Sequence, residues 1–114
     1  MNTKTITITK ATGTWVVRAG GAVIGESKNA LELVENGYEP VIYFPRDDIE
    51  MAFLEPSDHS TTCPHKGQAT YFGLAAKSGI IENAAWSYES PKEDVARIKD
   101  HLAFYTEKAA VEQL

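Results

Sequence analysis

Cysteine is nearly absent: the chain of 114 residues holds one, Cys63. A lone thiol excludes an internal disulfide. It also excludes the multi-cysteine zinc frameworks, since a closed structural site needs four ligands and usually takes at least two of them from cysteine. Long apolar runs are missing as well. No stretch approaches the about 18 apolar residues of a membrane helix, and Met1-Asn2-Thr3-Lys4 opens no apolar signal-peptide core. Basic side chains are sparse, 11 against 16 acidic ones for a net charge of −5. They form no block, so nucleic acid is not an expected partner, because phosphate binding draws on clustered Lys and Arg. There is no phosphate-cradling glycine loop, no G-x-S-x-G elbow and no H-E-x-x-H. What is left is a chain expected to be cytoplasmic and to need no cofactor. Its length suits one domain over residues 1–114, and 43% hydrophobic residues suffice for an ordinary core.

What the chain does have is alternation. Ile6 and Ile8 alternate with Thr5, Thr7 and Thr9, a run of β-branched residues that suits a pleated strand. Thr14 to Ala19 and Ala22 to Ser27 flank Gly20-Gly21, a two-residue connection able to take the positive φ of a tight hairpin. Ala30 to Glu35, Asn36-Gly37 and Val41 to Phe44 read as a second hairpin, which Pro45 ends. Pro56-Ser57-Asp58 reads as a turn. Gln68 to Phe72 and Ile80 onward form another hairpin, joined near Ser78-Gly79, and Trp86 and Tyr88 share one strand face. The last quarter changes period. Ser90-Pro91-Lys92-Glu93 carries a helix start, with Ser90 as cap and Glu93 closing a capping box. Val95, Ile98, Leu102 and Tyr105 then follow at helical spacing, which on periodicity alone extends the helix to the end.

Trp15, Glu26-Ser27, Tyr43-Phe44-Pro45, Asp48, Cys63-Pro64-His65-Lys66-Gly67, Tyr71, Ala85-Trp86-Ser87-Tyr88 and Phe104-Tyr105 occur in an order that resembles a bacterial and fungal family, domain of unknown function 427. The resemblance runs from about Ile6 to Leu114. Its central signature, C-P-x-K-G followed four residues later by an aromatic, stands as Cys63, Pro64, Lys66, Gly67 and Tyr71. The family has no established activity. The resemblance implies a mainly β fold with two antiparallel sheets in a β-tent-like arrangement, similar to methionine sulfoxide reductase B and to the ligand-binding domain of cereblon. Zinc in that group is held by paired C-x-x-C motifs, and this chain has neither pair. A glycine is frequent in the family at the position of Asp100, followed by extended residues. That favours a short helix over about 91–99 and a strand from His101 to Tyr105.

Three groups of residues carry possible chemistry. Cys63 is the candidate nucleophile, with Lys66 able to lower its pKa and His65 nearby in sequence, for acyl transfer or thiol redox; alternatively it is a small buried hydrophobe in the turn. Lys66, ahead of Gly67, would hold a carboxylate or phosphate, or pair internally with Glu26 or Asp48. Trp86, Tyr88 and Tyr43, with Tyr71, would wall a pocket or form plain core. The spacing of His59, Cys63 and His65 matches no metal framework, and no metal is expected. The leading expectation is binding of a small molecule or peptide end between the sheets, with Lys66 supplying charge and Glu26 and Asp48 polar contacts. A Cys63-dependent enzyme and a homodimeric interaction module built on an exposed sheet edge are the alternatives.

Overall fold

Gly20 and Gly21 carry φ of 59° and 81°, the left-handed conformation a two-residue hairpin demands and glycine adopts without a Cβ clash. The computed structural model, which describes residues 5–114, is built from such antiparallel pairings. In chain order the strands are β1 (Ile6–Lys10), β2 (Trp15–Ala19), β3 (Ala22–Ser27), β4 (Leu31–Glu35), β5 (Val41–Tyr43), β6 (Leu54–Cys63), β7 (Gly67–Ala76), β8 (Gly79–Ser87), β9 (Ala103–Phe104) and β10 (Ala110–Gln113). The expected antiparallel, mainly β architecture is observed. Its strands are distributed over three hydrogen-bonded sheets: β1-β4-β5, β10-β2-β3 and β6-β7-β8-β9. The first two separate because the β2–β3 hairpin takes its outer partner from the C-terminal β10, while β1 pairs with β4.

Two local expectations change. Pro56-Ser57-Asp58 is no turn but lies within β6, where the register with β7 shifts between Pro56 and Ser60. β6 is the edge of its sheet, and an edge strand at a bulge tolerates a residue with no N–H. Ser57 supplies the turn-like chemistry without ending the strand: its Oγ accepts the His59 backbone N–H at 3.0 Å and bonds Asn83 Oδ1 at 2.8 Å. The helix over 91–99 is a shorter 3-10 segment, Glu93–Ile98, interrupted at Val95. Ser90 does not cap it. The backbone N–H of Lys92 instead donates to Lys66 O at 3.0 Å, which fixes residue 92 in extended geometry outside the helix. Asp100 then takes φ of 64°, a conformation glycine adopts freely and aspartate tolerates. There the chain turns out of the helical path into β9. Val95 and Ile98 are therefore buried from the 3-10 segment and Leu102 from the strand side, and their spacing only mimics one helix.

The interior divides into two clusters, one around Val17, Ile24, Phe44, Leu74 and Leu102, the other around Leu33, Tyr43, Tyr71, Tyr88 and Ile98. The consecutive residues Tyr43 and Phe44 enter different clusters because extended side chains alternate. Phe44 continues past β5 as a bridge to Leu102, each donating its N–H to the other's carbonyl at 2.8 Å.

Gly25 marks a close approach in the same region. A Cβ there would lie 2.5 Å from Ile49 Cδ1 and 2.7 Å from the backbone oxygen of Asp48. The side chain could yield, but the backbone oxygen could not without moving the 46–48 turn. Gly25→Ala is expected to destabilise the fold by about 1–3 kcal/mol, the usual range for overpacking, read as a lower urea midpoint at unchanged slope.

Candidate functional site

The C-P-x-K-G signature forms the tip of the β6–β7 hairpin, closed by the Cys63–Gly67 pair. Gly67 adopts φ of 111°, and its would-be Cβ would stand 3.3 Å from Ser90 O. The tip is also held from outside by the Lys92 N–H to Lys66 O bond. Glycine is required here both for backbone conformation and for space. Gly67→Ala is expected to lower stability by about 1–3 kcal/mol through backbone strain, measurable as a drop in Tm.

From this turn Lys66 Nζ reaches Glu35 Oε1 at 2.8 Å, with the two side chains only 12% and 10% exposed. The internal partner of Lys66 is therefore Glu35 rather than Glu26 or Asp48. Glu26 is solvent-exposed on β3. Asp48 accepts the Ser27 hydroxyl at 2.6 Å in a separate polar contact. Neither lines the cleft described next. A signal for Glu35 was present in Leu31-Glu32-Leu33-Val34-Glu35: alternation sets Glu35 on the face of Leu31 and Leu33, all three of them buried.

Lys66 and Glu35 lie in the lining of a cleft of about 660 Å³ between sheet β1-β4-β5 and sheet β6-β7-β8-β9. All five tyrosines of the chain, Tyr38, Tyr43, Tyr71, Tyr88 and Tyr105, line it, together with Trp86 and Cys63. The rings are mutually fixed. Trp86 Nε1–H donates to Tyr43 Oη at 3.3 Å, Tyr71 Oη bonds Thr61 Oγ1 at 2.9 Å, and Tyr105 donates to Tyr71 Oη at 3.4 Å. Trp86 and Tyr105 touch with centroids 4.6 Å apart, and the His59 ring packs edge-on to Tyr71 at 4.5 Å. Of the residues singled out from sequence, Cys63, His65, Lys66, Tyr43, Tyr71, Trp86 and Tyr88 converge here. Tyr38, Glu39, Glu35 and Tyr105 join them without having been expected.

Burial raises the pKa of three of these phenols. Desolvation drives Tyr43 and Tyr88 well above the ordinary tyrosine range, and desolvation with the Tyr71 hydrogen bond pushes Tyr105 up to about 12. A phenol that ionises at about 10 when unfolded and higher when folded contributes stability that is complete below pH 10 and lost as pH rises through the folded value. Absorbance at 295 nm is expected to show these phenols still largely protonated at pH 11, with stability falling as pH rises above 10.

Cys63 is a half-buried free thiol. Among the described residues no histidine is hydrogen-bonded to it, and His65 is exposed at the hairpin tip. No three His, Cys, Asp or Glu groups among the described residues gather as metal ligands. Arg46, unremarkable in sequence, braces the wall from behind. It donates to Asp100 O, Ser87 Oγ and Glu89 Oε2 at 2.9, 3.0 and 3.1 Å.

A model of the family described as Domain of unknown function (DUF427) matches residues 7–113. The chain belongs to the DUF427 family. Its C-P-x-K-G turn and the aromatic at Tyr71 thus meet at one cleft in this DUF427 fold. No curated protein matches the chain. Among the described residues no helix is long and apolar enough to cross a membrane.

Proposed function

We propose that the cleft between the sheets binds a small molecule or the end of a peptide. The observation that supports this reading is convergence: five tyrosines, Trp86 and the Lys66–Glu35 pair border one concavity of about 660 Å³. Ligand sites are commonly mostly apolar concavities with a few placed polar groups. Tyrosines supply flat, rigid walls with a hydroxyl at the rim. An ammonium has three donors, and the bond to Glu35 uses one, so Lys66 retains capacity for a ligand carboxylate. Glu26 and Asp48 have no part in this reading, being outside the cleft.

Binding is favoured over Cys63 chemistry because a nucleophilic thiol works with a positioned base, and among the described residues no histidine, His65 on the same cleft included, is hydrogen-bonded to Cys63. Iodoacetamide is expected to alkylate Cys63 no faster than free cysteine at neutral pH; a rate tenfold higher would restore the enzyme reading. The binding reading itself is tested by amide and indole chemical shifts during titration with phenylacetate and with the dipeptide Gly-Phe. Each offers a carboxylate for Lys66 and a ring for the tyrosines. Saturable shifts at the Trp86 indole and at residues 63–67 are expected, lost in Glu35→Leu/Lys66→Met. Shifts confined to other surfaces, or none at all, would sink the proposal.

A further inference from the structure

A second cleft, of about 330 Å³, backs onto the first across Trp86 and Tyr105. All three sheets contribute to it: Trp15 and Val111 from β10-β2-β3, Glu32 and Ile42 from β1-β4-β5, Trp86 and Phe104 from β6-β7-β8-β9. Four aromatic rings therefore line a space smaller than the first cleft. Their polar atoms are already engaged. The Trp15 indole N–H donates to Thr12 O at 3.0 Å, that of Trp86 to Tyr43 Oη at 3.3 Å, and the Tyr105 hydroxyl to Tyr71 at 3.4 Å. With Phe104 only 4% exposed, what Trp15, Trp86 and Tyr105 offer an occupant is aromatic surface, whose faces carry the negative side of the ring quadrupole.

The charges point the same way. Glu32, Glu39 and Glu107 line the cleft, and no Lys, Arg or His does. Among the described residues none of these carboxylates takes part in a salt bridge. An anion would meet three like charges here, with Thr106 as the remaining side-chain donor. A cation meets opposite charge and ring faces together. Tyr105 already attracts one cation of the chain itself: Lys108 Nζ sits 5.7 Å from its ring centroid, tied to Glu82 O at 2.9 Å, and outside the cleft lining. The carboxylates are not gathered as metal ligands. That favours a large, weakly hydrated charge over a compact metal ion.

We propose that this second cleft binds an organic cation, namely an alkylated ammonium group seated among Trp15, Trp86 and Tyr105 under the carboxylates of Glu32, Glu39 and Glu107. Aromatic rings select such cations because the charge is spread over methyl groups that shed water readily. The carboxylates add attraction that salt weakens, since Glu39 and Glu107 are exposed.

Choline and its neutral isostere 3,3-dimethylbutan-1-ol are the probes, followed through the indole N–H resonances of Trp15 and Trp86. Trp15 does not line the first cleft, so its shift assigns binding to the second. Choline is expected to shift both indoles saturably and at least about tenfold more tightly than the alcohol, the margin a cation–π site provides. The exposed Glu107→Gln should weaken choline severalfold without disturbing folding, and added salt should do the same. A trimethyllysine peptide binding more tightly than choline would assign the ammonium to a protein side chain rather than a free metabolite. Glu35→Leu/Lys66→Met, which removes both charges of the pair together, should leave choline binding intact, which separates this proposal from the first cleft's reading. Equal binding of the alcohol, or an unmoved Trp15 resonance at about 50 mM choline, a concentration that exposes even millimolar sites, would overturn it.

Discussion

Glu35→Leu is expected to lower the unfolding free energy by about 3 kcal/mol, the near end of the range for breaking a buried ion pair. The variant leaves the Lys66 ammonium, 12% exposed in the native protein, without the carboxylate 2.8 Å away. The near end applies because the pair borders a cleft, where water can solvate the remaining charge. Glu35→Leu/Lys66→Met should recover most of the loss, since an apolar pair of similar volume removes both desolvation penalties. Urea unfolding of the two single variants and the double variant measures this as a cycle. A double variant as unstable as Glu35→Leu would show that the pair fixes the hairpin tip by geometry rather than by charge.

Phe44→Ala should be at least as damaging, at about 3–5 kcal/mol for an aromatic removed from a close-packed core. Phe44 is fully buried, and its ring meets Phe104 edge-on at 5.9 Å. It also stands at the bridge to Leu102, where sheet β1-β4-β5 meets the strand leading into β9. Phe44→Leu, which keeps much of the volume, is expected to cost under about 1.5 kcal/mol. The contrast in urea midpoints separates lost packing from lost backbone pairing, because both variants keep the peptide groups that pair with Leu102. Trp86 fluorescence should change in Phe44→Ala, as Trp86 donates to the neighbouring Tyr43.

How much was legible follows from which signals are local. The Gly20-Gly21 hairpin and the shared face of Trp86 and Tyr88 were readable because they depend only on φ freedom and on period two. Pro56-Ser57-Asp58 misled because the same residue types that build turns also build bulges, and only the pairing partner β7 decides between them. The helical spacing of Val95, Ile98, Leu102 and Tyr105 misled for a related reason. A left-handed Asp100 interrupts it, and aspartate advertises that conformation far less than glycine does. At the candidate site, residues near in sequence to the C-P-x-K-G signature were found readily. The partner of Lys66 was not, because Glu35 lies 31 positions away and on another sheet. The inward alternation of β4 offered the cue, but a Leu-Glu-Leu-Val-Glu run is equally consistent with a helical turn.

The hairpin tip bearing Lys66 is anchored twice: by the Lys92 N–H bond to Lys66 O and by the Lys66–Glu35 ion pair. A cleft whose charged corner is already rigid has little conformational freedom left to surrender when it is filled. Its association rates should therefore resemble docking to a preformed surface, about 10⁵–10⁷ M⁻¹s⁻¹, with no slow step of loop closure. Differences among its ligands would then reside in how long each stays, and loosening the anchor at Lys92 would shorten residence before it altered arrival.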